Sequence, residues 1–450
     1  MATGITAKEQ HSEDALTAHI PLRDPHPLPT GSVEPFLSYD NRLEKADVLE
    51  SLPVSFSRQV GGDWIVAPLE PSTVALCDNL AGLSALIQSG QKARLIYLDP
   101  PYNTGFGFHS RDLQHAYKDD RSTAGYVEFM RRRLILMREC LANDGSIYVH
   151  IGHQMLGHLK VLMDEVFGPR NFRNIISRRK CSSKNFTSNS YSNIHDYLLF
   201  YTKSNDYVWN QPGQKPTEEW LNKEYTKTDA RGRYKLVPVH APGTRNGETG
   251  LPWRGKNPPP GKHWQYAPSK LDALDKDGQI HWSKTGNPRR KVYLSDDKLV
   301  PYTDQWDCFR DAHHQSIGIT GYPTEKNIDM LRMIVGASSN PGDLVVDPFC
   351  GSGTTLAAAD DLGRQFIGFD ESFVAVEATL NRLRFGVEAM GDYVEREASQ
   401  EEQGRLDALF DLPADTEEED TSAPIRNFSF VVDSELLHDF GEEIERVAEI

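Results

Sequence analysis

The chain of 450 residues has little cysteine. Its five residues, Cys77, Cys140, Cys181, Cys308 and Cys350, form no CxxC pair and show no zinc-ligand spacing. That argues against a disulfide framework and predicts reduced thiols in a cytoplasmic protein. Long apolar runs are also absent. No segment approaches the roughly 18 apolar residues of a membrane helix, and the N-terminal stretch lacks the apolar centre of a secretory signal. No GxxxxGK[ST] occurs. The nearest look-alike, Gly255 to Lys262, has the wrong spacing and is followed by His263, so a loop that cradles nucleoside polyphosphates is not expected. The pair His313-His314 has no carboxylate or cysteine at ligand spacing, and no metal is predicted. Internal repeats are missing as well.

The net charge is −16, which at first argues against a nucleic-acid partner. Its distribution reverses that argument. Residues 388–450 hold 20 acidic and 4 basic side chains, so the tail carries the whole excess. Residues 173–300 hold 23 Lys and Arg against 12 Asp and Glu. A basic middle section suits contact with phosphate.

Residues 1–35 are polar and contain proline, and read as an arm. A helical period over 72–90 ends at Gly90, and Arg94–Leu98 is a short apolar run of the kind expected of a buried strand. A helix with a charged face (Arg131, Arg132, Arg133) is predicted over 124–141, a strand over 146–151 and a helix over 153–167. Residues 205–300 lose this regularity and are rich in Gly, Pro, aromatic and basic residues. Alternation then returns, with a helix over 326–337, strand over 343–346, helix over 354–362, strand over 366–369 and helix over 371–385. Alternating strands and helices predict a parallel, helix-covered sheet. The acidic run Asp415–Thr421 reads as solvated, and 425–450 as a small strand–helix element. Domain boundaries follow: arm 1–35, first half of the sheet domain 36–171, insert 172–305, second half 306–390 and acidic C-terminal extension 391–450.

The first chemical motif is Asp99-Pro100-Pro101-Tyr102 at the end of the Arg94–Leu98 run. Open α/β sheets place ligands at strand C-termini, and the two prolines fix the backbone there. A carboxylate (Asp99) and a fixed carbonyl (Pro100) can accept the two N–H bonds of an exocyclic purine amine. That draws the nitrogen toward tetrahedral geometry and aims its lone pair at an electrophile. Tyr102 offers a face for a flipped base, worth roughly 1–3 kcal/mol of stacking.

The second motif is Asp347-Pro348-Phe349-Cys350-Gly351-Ser352-Gly353-Thr354, between a strand and a helix. It is a glycine loop with no lysine for phosphate, which fits a nucleoside without phosphates; S-adenosylmethionine is such a ligand. Asp370 then closes the next strand, where a ribose diol is usually held.

Together these residues resemble the amino-methyltransferases of DNA modification. They are most similar to beta-class adenine-N6 enzymes and the Mod subunits of type III restriction-modification systems, over roughly Ser72 to Arg384. Asp99–Tyr102, extended by Asn103-Thr104-Gly105, matches the family's catalytic motif. Asp347–Thr354 matches its cofactor loop and Asp370 its ribose acid. Tyr322-Pro323-Thr324-Glu325-Lys326 matches a segment that carries cofactor contacts, here Thr324 and Lys326. Asp78-Asn79-Leu80 matches a GDNL-like segment, with Asp78 near the cofactor's adenine. Cys77 replaces the usual Gly there, and Asn327 a common Pro.

The resemblance implies an α/β, Rossmann-like methyltransferase sheet with an inserted target-recognition region. It implies S-adenosyl-L-methionine as cofactor and methyl transfer to adenine N6 in duplex DNA, by base flipping and direct SN2 displacement. Duplex DNA is then the partner, with a second copy of the chain and a restriction subunit left open. The insert's basic triplets, Arg178-Arg179-Lys180 and Arg289-Arg290-Lys291, are candidates for phosphate contact. Trp253, Trp264 and Trp282 read as packing residues. The alternatives are a cytosine-N4 enzyme, which more often opens the motif with Ser, and an RNA or protein amide methyltransferase, which more often opens it with Asn. A non-catalytic subunit is disfavoured by two intact motifs.

Overall fold

The strand Ala93–Leu98 sends its side chains alternately to two cores. Ile96 and Leu98 face one, Leu95 and Tyr97 the other, and all are buried. A strand apolar on both faces must be covered on both, and this period of two sets the architecture. The structure, a computed structural model, describes residues 36–50, 54–60, 63–103, 107–109, 115–118, 121–181, 191–311, 318–319, 325–389 and 427–448.

Among these residues the main sheet has eleven strands. Its centre is parallel: Leu141–Ile151, Ala93–Leu98, Leu344–Asp347, Gln365–Asp370, Thr73–Leu76 and Ser429–Asp433, in that spatial order. On one side His195–Thr202 and Phe172–Arg179 pair antiparallel, followed by Gln305–Trp306. On the other the hairpin Phe56–Val60 with Asp63–Ala67 forms the edge. Helices Asn79–Gln88, Thr123–Cys140 and His153–Phe167 pack on one face. Ile328–Ser338, Thr354–Asp361, Phe373–Phe385 and Ser434–Ala448 pack on the other. The α/β, Rossmann-like sheet read from the sequence is the observed fold.

Two boundaries and one helix face differ from expectation. The segments Phe172–Arg179 and His195–Thr202, assigned to the insert, are strands of the main sheet. Their buried residues Ile176, Leu198 and Phe200 continue its core. The insert proper therefore lies between His195–Thr202 and Gln305–Trp306. It is built on an antiparallel sheet of Lys227–Asp229, Gly232–Pro238, Pro288–Tyr293 and Ile280–Trp282. Residues 429–448, placed in an acidic extension, supply an interior strand and a covering helix. Val431 and Val432 are buried on opposite faces, which is why this strand is held inside the sheet. The supposed charged face of Thr123–Cys140 is also partly internal. Arg131 is buried against Glu165 and the Leu43 carbonyl, and Arg133 against Asp78 and Asn79.

The arm 1–35, the acidic run up to 426, Thr104, Gly105, His313, His314, Tyr322, Pro323 and Thr324 lie outside the described residues. None of the five cysteines forms a disulfide. No helix among the described residues is long and apolar enough to cross a membrane.

Candidate active site

The two sequence motifs end on neighbouring strands. Ala93–Leu98 runs beside Leu344–Asp347, which runs beside Gln365–Asp370, all parallel. Their C-terminal ends carry Asp99, Asp347 and Asp370 to one edge. A cavity of about 810 Å³ opens there, lined by both motifs. That volume suits a nucleoside-sized ligand.

The catalytic end is rigid. The Tyr102 hydroxyl donates to Asp99 Oδ1 at 2.9 Å, and Lys326 forms an ion pair with Asp99 Oδ2. The Lys326 ammonium lies 5.7 Å from the centre of the Tyr102 ring. Burial, then the Asp99 charge, push the Tyr102 hydroxyl well above its usual pKa, so it stays a donor. Asn103 takes a left-handed φ of 55° directly after the motif, an uncommon conformation that asparagine tolerates best among non-glycine residues.

The cofactor end is organised by buried acids. Asp347 Oδ1 accepts the Phe349 N–H at 3.0 Å. Asp370 accepts from two amides, Gly351 N on Oδ2 and Ser372 N on Oδ1, each at 3.0 Å. Burial raises Asp347 to about 7 and Asp370 to about 6; these hydrogen bonds oppose the rise. Gly351 and Gly353 have φ of 53° and 72°. A side chain at Gly353 would stand 2.9 Å from Thr379 and strain a left-handed backbone. The loop is anchored from below by Thr379, which donates to the Gly351 carbonyl, and by Arg382, which donates to the Ser352 carbonyl. Asn79 donates to the Pro348 carbonyl at 2.9 Å.

Asp78 caps the helix Asn79–Gln88 through the Leu80 N–H and pairs with Arg133 at 3.2 Å. The Arg121 and Arg133 guanidiniums lie over the Phe129 ring, 4.2 and 3.6 Å from its centre, and the ring meets Phe349 at 6.1 Å. Among the described residues this end thus offers acids for hydroxyls and amines, aromatic rings for a purine, and a glycine loop without a lysine. Those are the contacts S-adenosylmethionine requires.

Every catalytic residue read from the sequence lines this cavity, as do Asp78, Lys326, Asp347, Pro348, Phe349, Gly351, Thr354 and Asp370. Gly353 lies behind them as the cap of the helix Thr354–Asp361. Thr324 falls outside the described residues. Sequence reading missed Tyr97, Arg121, Phe129, Arg133, Glu371, Phe373 and Leu436 of the lining. Only Glu371 and Phe373 had a signal, their place right after the ribose acid.

Comparison with known proteins gives the family. The family model N6_N4_Mtase, described as DNA methylase, matches residues 93–381. The chain belongs to this DNA methylase family. The Type II methyltransferase M.EcaI of Enterobacter cloacae is 56% identical over 396 residues, 88% of this chain and 87% of its own length. The StyLTI Mod subunit of a type III restriction-modification enzyme, from Salmonella typhimurium, is 28% identical. That match covers 60% of this chain and 47% of the Mod subunit. The Type II methyltransferase M.KpnI of Klebsiella pneumoniae is 28% identical over 65% of this chain and 78% of its own length. The DNA methylase is an S-adenosylmethionine-dependent enzyme, and its substrate is DNA.

The proposed phosphate triplets separate on the structure. Arg178 is corrected outright. Its guanidinium is 0% exposed, bonded to Asp196 at 2.9 Å, Asp311 at 2.8 Å and the Phe309 carbonyl at 2.7 Å. It lies inside the sheet, where no phosphate can reach it. Arg179 and Lys180 are half-buried, and Arg179 donates to the Cys181 carbonyl. In the second triplet Arg289 is exposed, Arg290 bonds the Tyr266 hydroxyl, and Lys291 pairs with Asp229 at 2.8 Å. Trp253, Trp264 and Trp282 pack on one another, with Trp253 stacked on Trp282 at 5.1 Å.

Proposed function

We propose that this methylase acts on adenine N6 in duplex DNA, reading its site through the insert between His195–Thr202 and Gln305–Trp306. The observation that carries this reading is the placement of Asp99 and Tyr102 in one cavity with the glycine loop. When bound, S-adenosylmethionine supplies an electrophilic methyl group on its sulfonium. Asp99 and the Pro100 carbonyl accept the two N–H bonds of the amine, and Tyr102 stacks against the flipped base. The rest of the rate comes from orientation, because a held nucleophile needs no further encounter. Asp347, Gly351 and Asp370 shape the cofactor end, and Asp78 lies at its rim.

Adenine is favoured over cytosine because Asp, not Ser, opens the motif. The test is transfer of labelled methyl to duplex DNA followed by digestion to nucleosides. N6-methyladenine supports the reading, and N4-methylcytosine overturns the base assignment. The names of its relatives support a place in a restriction-modification system. Activity of the chain alone would show that no restriction subunit is needed for methylation. Sedimentation with and without DNA reads whether two copies assemble.

A further inference from the structure

A chain of buried polar groups runs beneath the catalytic motif and is not used by the chemistry described so far. The Tyr97 hydroxyl, at the cavity wall, lies 2.7 Å from His150 Nδ1. His150 Nε2 lies 3.0 Å from Asp196 Oδ2, which also receives Arg178 at 2.9 Å. Arg178 reaches Asp311 at 2.8 Å. Tyr97, His150, Arg178 and Asp196 are each at most 2% exposed. The His150 ring also stands 6.3 Å from the Tyr102 ring.

These residues come from five separate segments. Tyr97 and His150 are on the central strands Ala93–Leu98 and Leu141–Ile151. Arg178 and Asp196 are on the two strands that lead into the insert, and Asp311 lies where the chain returns from it. The Asp311 N–H donates to the Lys180 carbonyl at 2.9 Å, which fastens that return beside Arg178.

We propose that Asp311, Arg178, Asp196, His150 and Tyr97 form a positioning network through which the insert sets the geometry of the Asp99–Tyr102 motif. The chemistry of each link is directional. A carboxylate only accepts, so Asp196, 3.0 Å away, favours the proton on His150 Nε2. Nδ1 then accepts from Tyr97, whose hydroxyl burial and the neighbouring Asp99 keep protonated. Burial works against the Asp196 carboxylate, but His150 and Arg178 outweigh it and hold its pKa below the usual range. The ion pairs of Arg178 with Asp196 and Asp311 make this network stiff, because any displacement leaves a buried charge without its partner. DNA contacts that shift the insert therefore bear on His150, and through it on both tyrosines of the pocket.

The inference rests on Asp99–Tyr102 being the amine site, and Asp99→Ala is included to test that separately. Asp311→Asn is the informative variant, since its side chain is one-third exposed and outside the cavity. Single-turnover methyl transfer should slow by about tenfold, a partial displacement on the scale where misplacing a reacting group by about 1 Å costs on the order of 100-fold. Cofactor affinity and affinity for duplex DNA should stay unchanged. In a His150→Phe background, or a Tyr97→Phe background if the first fails to fold, Asp311→Asn should cause no further loss. Additive losses, or a wild-type rate for Asp311→Asn, overturn the network. Full activity in Asp99→Ala would instead overturn the amine site.

Discussion

Lys326 and Asp99 form an ion pair that joins the two halves of the catalytic domain. Lys326 precedes the helix Ile328–Ser338, and Asp99 closes the strand Ala93–Leu98. With Tyr102 on its other oxygen, the Asp99 carboxylate is held in place at the cavity wall. An incoming amine must share this carboxylate with the lysine. The family resemblance puts Lys326 with the cofactor contacts; its partner in the structure is Asp99, the acid of the proposed amine site.

Asp99→Ala should lower methyl transfer by at least about 100-fold, the scale seen when one preorganised hydrogen bond to developing charge is lost. Cofactor binding by calorimetry should be largely kept. Asp370→Ala should do the reverse at the binding step. Removing an acceptor of two loop amides costs roughly 1–3 kcal/mol, or about tenfold or more in cofactor affinity. Lys326→Met should reduce kcat more than cofactor affinity. A cofactor defect alone in Lys326→Met would return that residue to the cofactor site.

The buried acids predict an unusual pH dependence of stability. Burial raises Asp347 to about 7 and Asp370 to about 6, above their unfolded values. Between those unfolded values and about pH 7 the native state binds more protons than the unfolded chain. These two groups therefore destabilise the fold at pH 8, and their cost is relieved as pH falls through 7 and 6. Asp347→Asn removes one of them. The melting temperature of the wild type minus that of Asp347→Asn should rise from pH 8 to pH 5.5. A flat difference would contradict the raised pKa of Asp347.

The C-terminal element reaches the cofactor cavity through Leu436, and Phe440 meets Phe373 at 5.5 Å. Leu436→Ala should weaken cofactor binding by about fivefold, for roughly 1 kcal/mol of lost apolar contact. Deleting 427–450 removes the strand between Thr73–Leu76 and Phe56–Val60, and should abolish cooperative unfolding. An active, cooperatively folded truncation would show that the element is peripheral.

Within the triplet Arg289-Arg290-Lys291, the structure now distributes the expected effect. Arg289 is exposed on its strand, and Arg289→Ala should reduce the slope of log K for DNA against log salt by roughly 0.9. Lys291→Ala should change it less, because Asp229 already neutralises Lys291. Cognate and non-cognate duplexes should lose affinity by similar factors. Titrations at three salt concentrations separate this from a merely solubilising role, which leaves the slope intact.

The sequence by itself determined the chemistry. Asp99-Pro100-Pro101-Tyr102 and the glycine loop are local: a strand, a fixed turn and a strand end suffice to present their atoms, so their neighbours in the chain reveal them. The alternation of apolar strands and amphipathic helices made the layered sheet legible for the same reason. What only the tertiary structure decided was the partnering of distant charges. Arg178 and Arg133 look like surface cations in the chain, and become buried because Asp196, Asp311 and Asp78 meet them from other segments. The strand Ser429–Asp433 reads in the chain as part of a small terminal strand–helix element, and only the packing shows that it lies inside the main sheet, between Thr73–Leu76 and Phe56–Val60. A charge's solvation and a strand's neighbours are properties of the folded packing, and neither is encoded by residues adjacent in sequence.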